Sequence, residues 1–182
     1  MKTTLNKIYA KRPCGSGWEK LLNSLGKIKP DDEDLELSYI LESNGIRDAI
    51  WALRCFNYLD YCLFLADVAE GVLDIYEKKH NNPAPRNAIN AIRLFKEGKI
   101  TKSELKNTAA TTTAAADATA DAAAYAAYAD ADAAYAAAYA AYAAYAAADA
   151  AYADADADAA YADARKNKWE EITVLFIKFF CE

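Results

Sequence analysis

The chain has 182 residues and a net charge of −6, and its length suits one compact domain or a small domain with an appendage. A single His (His80) leaves almost no room for triads, His bases or ordinary zinc sites, and four Cys without a CxxC point to a reducing cytosol, not a disulfide scaffold. The longest strongly apolar run, Ile172 to Cys181, holds Lys178 and is too short to cross a bilayer, and no basic start precedes an apolar run as in a secretory signal.

Residues 1–12 carry Lys2, Lys7, Lys11 and Arg12 and no acid. They read as a basic N-terminal arm, either a solvated tail or a contact for nucleic-acid phosphates. Pro13, Gly15 and Gly17 interrupt any helix, after which Ser16 and Glu19 have the form of a capping box. Trp18, Leu21, Leu22 and Leu25 supply an apolar stripe, and Gly26 a stop, which predicts a short helix over 17–25. The acidic run Asp31, Asp32, Glu33 and Asp34 suits the N-terminus of a second helix, where carboxylates meet unpaired N–H groups. As a calcium loop it lacks the central Gly and the distal Glu.

Leu35, Leu37, Ile40 and Leu41 carry that helix to Ser43-Asn44-Gly45, a stop signal. Ile46, Ala49, Ile50, Leu53 and Arg54 form the next short helix, and helical spacing continues from Tyr58 to Lys79 despite Gly71. On a continuous helix Cys55 and Cys62 would share a face as buried structural thiols. The loop from His80 to Pro85 is a boundary. Ala88, Ile89, Ile92, Leu94 and Phe95 predict another helix closed by Gly98, and Thr101 to Glu104 is a second capping box. Trp18, Trp51 and Trp169 each fall in an apolar stripe and read as core. Nothing alternates with period two, so no strands are expected.

Between Ala109 and Ala164 the chain uses four letters only: 35 Ala, 9 Asp, 8 Tyr and 4 Thr. That block carries −9, whereas residues 1–108 carry +2 and residues 165–182 carry +1. Alanine favours helix, but one unbroken rod would be about 84 Å long at ~1.5 Å per residue, so a bend or hairpin is expected. The weakest points are Asp154 to Asp158, where like charges crowd, and Thr111-Thr112-Thr113. Tyr125, Tyr128, Tyr135, Tyr139 and Tyr142 fall on a seam-like stripe that some surface must cover. The occupants considered are the globular half, the C-terminal helix (Trp169, Ile172, Leu175, Phe176, Phe179), a second copy forming a homodimer, or a foreign protein.

The expected architecture is therefore all-α. A compact bundle of short helices (13–107) precedes a long Ala/Tyr/Asp-rich helix or hairpin with an apolar C-terminal helix (108–182). No catalytic, cofactor-binding or metal-binding residue stands out, so a non-enzymatic protein is expected. Its partner-binding residues would be Tyr139, Tyr142, Tyr145, Asp149, Tyr152, Asp154, Asp156 and Asp158, phenols to anchor and carboxylates to steer. The acids are too sparse for a convincing phosphate mimic.

The stretch GWEKLLNSLGK…DDEDLELSYILESNGIRDAIWALR (residues 17–54), together with EGKITKSEL opening an Ala-rich C-terminal half, resembles an alanine-rich, all-helical family of immunity proteins in bacteria and their phages. The whole chain is also similar to the type II anti-CRISPR proteins, small phage-derived inhibitors of Cas9. The second resemblance implies a protein in the host cytoplasm that binds Cas9 or its guide-RNA complex and stops DNA cleavage. The first implies neutralisation of a bacterial toxin by direct capture. A self-associating structural protein is the third reading. Neither family brings a catalytic motif, so no residue inherits a role.

Overall fold

The computed structural model describes residues 1–71, 73, 83–113 and 158–182. Among these, eight α-helices and one minimal sheet build a single core: β1 (Lys2–Thr3), α1 (Leu5–Ala10), α2 (Gly15–Ser24), β2 (Leu35–Glu36), α3 (Leu37–Asn44), α4 (Ile46–Ala52) with a 3₁₀ turn (Leu53–Cys55), α5 (Tyr58–Glu70), α6 (Ala84–Lys96), α7 (Lys102–Thr113) and α8 (Asp158–Phe180). The fold is all-α in class, as the helical spacing predicts.

Several boundaries follow from local chemistry. Gly45 ends α3 at φ +95°, Gly98 follows α6 at φ +72°, and Gly26 follows α2 at φ +64°. The Thr101–Glu104 box forms as expected: the Glu104 carboxylate accepts from the Thr101 N–H at 2.7 Å, and the Thr101 hydroxyl accepts from the Glu104 N–H at 3.3 Å.

Several expectations are corrected. Strands do occur: β1 pairs antiparallel with β2 in the register Lys2↔Glu36, Thr3↔Leu35. Thr3 and Leu35 face inward while Lys2 and Glu36 face outward, but two residues per strand are too few to show a period. The Ser16–Glu19 capping box does not form, because α2 starts earlier, at Gly15, and Cys14 takes the cap position without a side-chain bond. Nor does the acidic run cap a helix. β1 draws residues 35–36 into β2, so α3 begins only at Leu37, with no acid in its first turn. Finally, Cys55 and Cys62 do not share one helix. The chain turns at Phe56, and Asn57 opens α5 with a capping box completed by Asp60.

Residues 1–12 are folded rather than a tail. Leu5 and Ile8 of α1 enter the same core as Leu21 of α2, Leu37 and Ile40 of α3, Ile50 of α4, and Ile89 and Ile92 of α6. α5, α6 and α7 pack successively, and α8 returns across α5 while touching α3 and α4. Its buried stripe of Ile172, Phe176 and Phe180 recurs every four residues and meets Phe64 of α5. The three Trp are half-buried and pack against this core. The bend expected near Asp154–Asp158 and the seam tyrosines between Tyr125 and Tyr142 lie outside the described residues, apart from Asp158 itself, which opens α8.

Candidate functional site

Of the residues singled out for partner binding, Tyr139, Tyr142, Tyr145, Asp149, Tyr152, Asp154 and Asp156 lie outside the described residues, and Asp158 is the first residue of α8. The cations of the N-terminal segment are described, and of these Lys2 is paired with carboxylates of the same chain. The Lys2 ammonium lies 3.4 Å from Asp34 and 3.5 Å from Glu36, and both carboxylates raise its pKa. Lys7 sits in α1, and its backbone N–H donates to the capping Thr4 hydroxyl at 3.2 Å. Lys11 ends that helix, and Arg12 turns the chain at φ +58°. The acidic run is likewise engaged within the chain. Lys27 pairs with Asp31 at 2.6 Å and Glu33 at 2.7 Å, which holds the Asp31 carboxyl below its ordinary value.

A network of cations ties α5, α6 and α8 together. The Arg93 guanidinium donates to both oxygens of Glu70, at 3.0 and 2.6 Å, and to Asp67 at 3.0 Å. Lys96 donates to the Leu59 carbonyl at 2.6 Å, and Lys168 of α8 donates to the Gly71 carbonyl at 2.9 Å while pairing with Glu171. Hydrogen bonding from Arg93 holds the Glu70 carboxyl below its usual value of 4.5. A depressed folded value stabilises above the unfolded value near 4.5 and stops doing so as pH falls through the lower, folded one. The stability difference between the native chain and Glu70→Gln should therefore be full at pH 6 and close towards pH 3. Its ceiling is about 1 kcal/mol, since water and salt screen a partly exposed pair. Urea midpoints across that range check it, and a pH-independent difference would refute it.

The thiols are mostly inert. Burial pushes Cys55, Cys62 and Cys181 up, so all three stay protonated at neutral pH. At Cys55 this outweighs the Thr3 hydroxyl and the charges of Lys11 and Lys7, which draw it down. Cys14, in contrast, is exposed.

Cys14 stands at an aromatic-walled cavity of about 90 Å³ between α2, α3 and α4. Ile8, Leu21, Ile40 and Ala52 floor it, Trp18 and Trp51 wall it, and Asp48, Asn44 and Cys14 supply its polar atoms. Asn44 holds the corner: its amide donates to the Gly17 carbonyl at 2.8 Å and to Asp48 Oδ2 at 2.7 Å. Gly17 keeps this corner close, since a Cβ on it would stand 2.8 Å from Asp48 Oδ2 and 3.1 Å from Cys14 Sγ and would displace those side chains. Tyr9 packs outside Trp18 with ring centroids 5.4 Å apart. Sequence reasoning missed this constellation. Asn44 reads there as part of a stop signal and the two Trp as core, and no local pattern brings residues 13–18 beside residues 44–52.

Among the described residues no helix is long and apolar enough to cross a membrane. A family model described as Imm-5 like putative immunity protein matches residues 60–174, well over half of the chain. EGKITKSEL lies inside that span and residues 17–54 lie outside it, so the resemblance resides in the later part of the molecule. No curated protein and no solved structure matches the chain.

Proposed function

Since the chain belongs to the Imm-5 like putative immunity protein family, we propose that it neutralises a bacterial toxin by direct, stoichiometric binding, without turning over a substrate. The match over residues 60–174 is the observation that carries this reading. It favours toxin capture over Cas9 inhibition, for which the comparisons offer no support.

The matched span contains the whole Ala109–Ala164 block with its charge of −9. That block is the preferred contact, with Tyr139, Tyr142, Tyr145 and Tyr152 as anchors and Asp149, Asp154, Asp156 and Asp158 as the steering charges. A tyrosine contributes large contact area with few rotors to freeze, and a row of carboxylates accelerates encounter with a cationic partner. The toxin is accordingly one with a positively charged face.

Co-expression with a candidate toxin from a neighbouring gene tests the reading: growth should be restored and a complex should co-purify. Absence of both overturns toxin capture. Replacing Asp149, Asp154, Asp156 and Asp158 by Asn should weaken the complex at least about tenfold at low salt and flatten its salt dependence. Unchanged affinity would move the contact away from these carboxylates and leave toxin capture intact.

A further inference from the structure

We propose that the cavity between α2, α3 and α4 is a binding site for an alkylammonium group of four to five carbons, held by the Asp48 carboxylate and the Trp18 and Trp51 rings. The inference rests on the first 59 residues, outside the family match, and stands independently of toxin capture.

The walls decide the apolar part of the ligand. Ile8, Leu21, Ile40, Ala52 and the two indoles present carbon to the space. A volume of about 90 Å³ is smaller than the ~150 Å³ cavity that accommodates benzene, so a ring is excluded, whereas an unbranched chain can enter lengthwise and leave its remainder outside, past the exposed Cys14.

The polar atoms decide the charge. Asp48 is half-buried and has no cationic partner among the described residues. Asn44 occupies Oδ2, and Oδ1 has no hydrogen-bond donor there. A carboxylate beside apolar walls gains most from a cation that also brings its own hydrocarbon. The indoles contribute apolar contact to the chain, and since the Trp51 ring already carries the Arg54 guanidinium at 5.0 Å, the charge is left to the Asp48 carboxylate. An anion is disfavoured by Asp48, and a neutral alcohol would leave the carboxylate without a counter-charge.

The same group reaches the site either as a free amine or as the side chain of a lysine. The full chain is titrated with n-pentylammonium, with Nα-acetyl-lysine N-methylamide and with n-pentanol, following Trp fluorescence and the alkylation rate of Cys14. Cys14 suits the second readout because it is the exposed thiol, whereas Cys55, Cys62 and Cys181 are pushed up by burial. Pentylammonium should saturate in the millimolar range and slow Cys14 alkylation several-fold, with pentanol at least about tenfold weaker. Comparable binding of the blocked lysine identifies a lysine side chain as the natural occupant, and its exclusion identifies a free amine. Either outcome supports the site. Asp48→Asn keeps the shape and still accepts from Asn44, so it should retain the thermal midpoint yet lose at least about tenfold in amine affinity. Pentanol binding as well as the amine, undiminished binding to Asp48→Asn, or no saturable change with any of them would overturn the proposal.

Discussion

Replacing Phe176 with alanine is expected to cost about 3–5 kcal/mol and to release α8 from the bundle. Phe176 is fully buried at the point where α8 crosses α5. Its ring meets Phe64 edge-on at 5.9 Å and Phe180 at 4.9 Å, and Phe64 also meets Phe179 at 6.1 Å and Phe180 at 5.2 Å. Truncation removes the buried ring, leaves a cavity and breaks the edge-to-face contacts together. Marginal stabilities of about 5–15 kcal/mol make such a loss a large share of the whole. Urea unfolding checks the size, and amide exchange in α8 should accelerate more than in α6. Phe176→Leu should retain much of the stability, because it keeps apolar volume in the site. A cost under about 1 kcal/mol for Phe176→Ala would mean that α8 does not depend on this junction.

Gly45→Ala should destabilise by about 1–3 kcal/mol through backbone strain alone. Gly45 joins α3 to α4 at φ +95° and ψ 172°, a region open essentially to glycine, while a Cβ there would meet nothing within 4 Å. Gly26 offers the internal comparison: its φ of +64° lies in the ordinary left-handed well and its Cβ position is also empty, so Gly26→Ala should cost less. Denaturant midpoints of the two variants give the order, and equal costs would refute the strain argument. The Gly45 variant has a second consequence. Asn44 and Asp48 flank this joint, so Gly45→Ala should also loosen the Asn44 bonds to Gly17 and Asp48 that shape the aromatic cavity.

The candidate interaction surface was legible only as composition. Thirty-five Ala, nine Asp and eight Tyr between Ala109 and Ala164 give an acidic, phenol-rich block, and the family match includes all of it. The basic residues looked like an arm because Lys2, Lys7, Lys11 and Arg12 are unaccompanied by acids in sequence. In space Lys2 finds Asp34 and Glu36, because strand pairing carries a distant segment to it. A charge run shows its valence in sequence, but its partners are set by the fold.

What the sequence determined on its own are the features whose causes act within about four residues: the helical class, the stops at Gly45 and Gly98, and the Thr101–Glu104 cap. Capping and left-handed glycine turns satisfy groups one turn away, so a window of sequence contains all the participants. Tertiary structure alone decided the β1–β2 pairing, the capture of Asp34 by Lys2, the aromatic junction of α5 with α8, and the cavity that sets Cys14 and Trp18 against Asp48 and Trp51. Each joins residues far apart in the chain through burial and charge. Such contacts form only when the whole bundle offsets the entropy of closing the intervening loops, and no local pattern encodes which faces then meet.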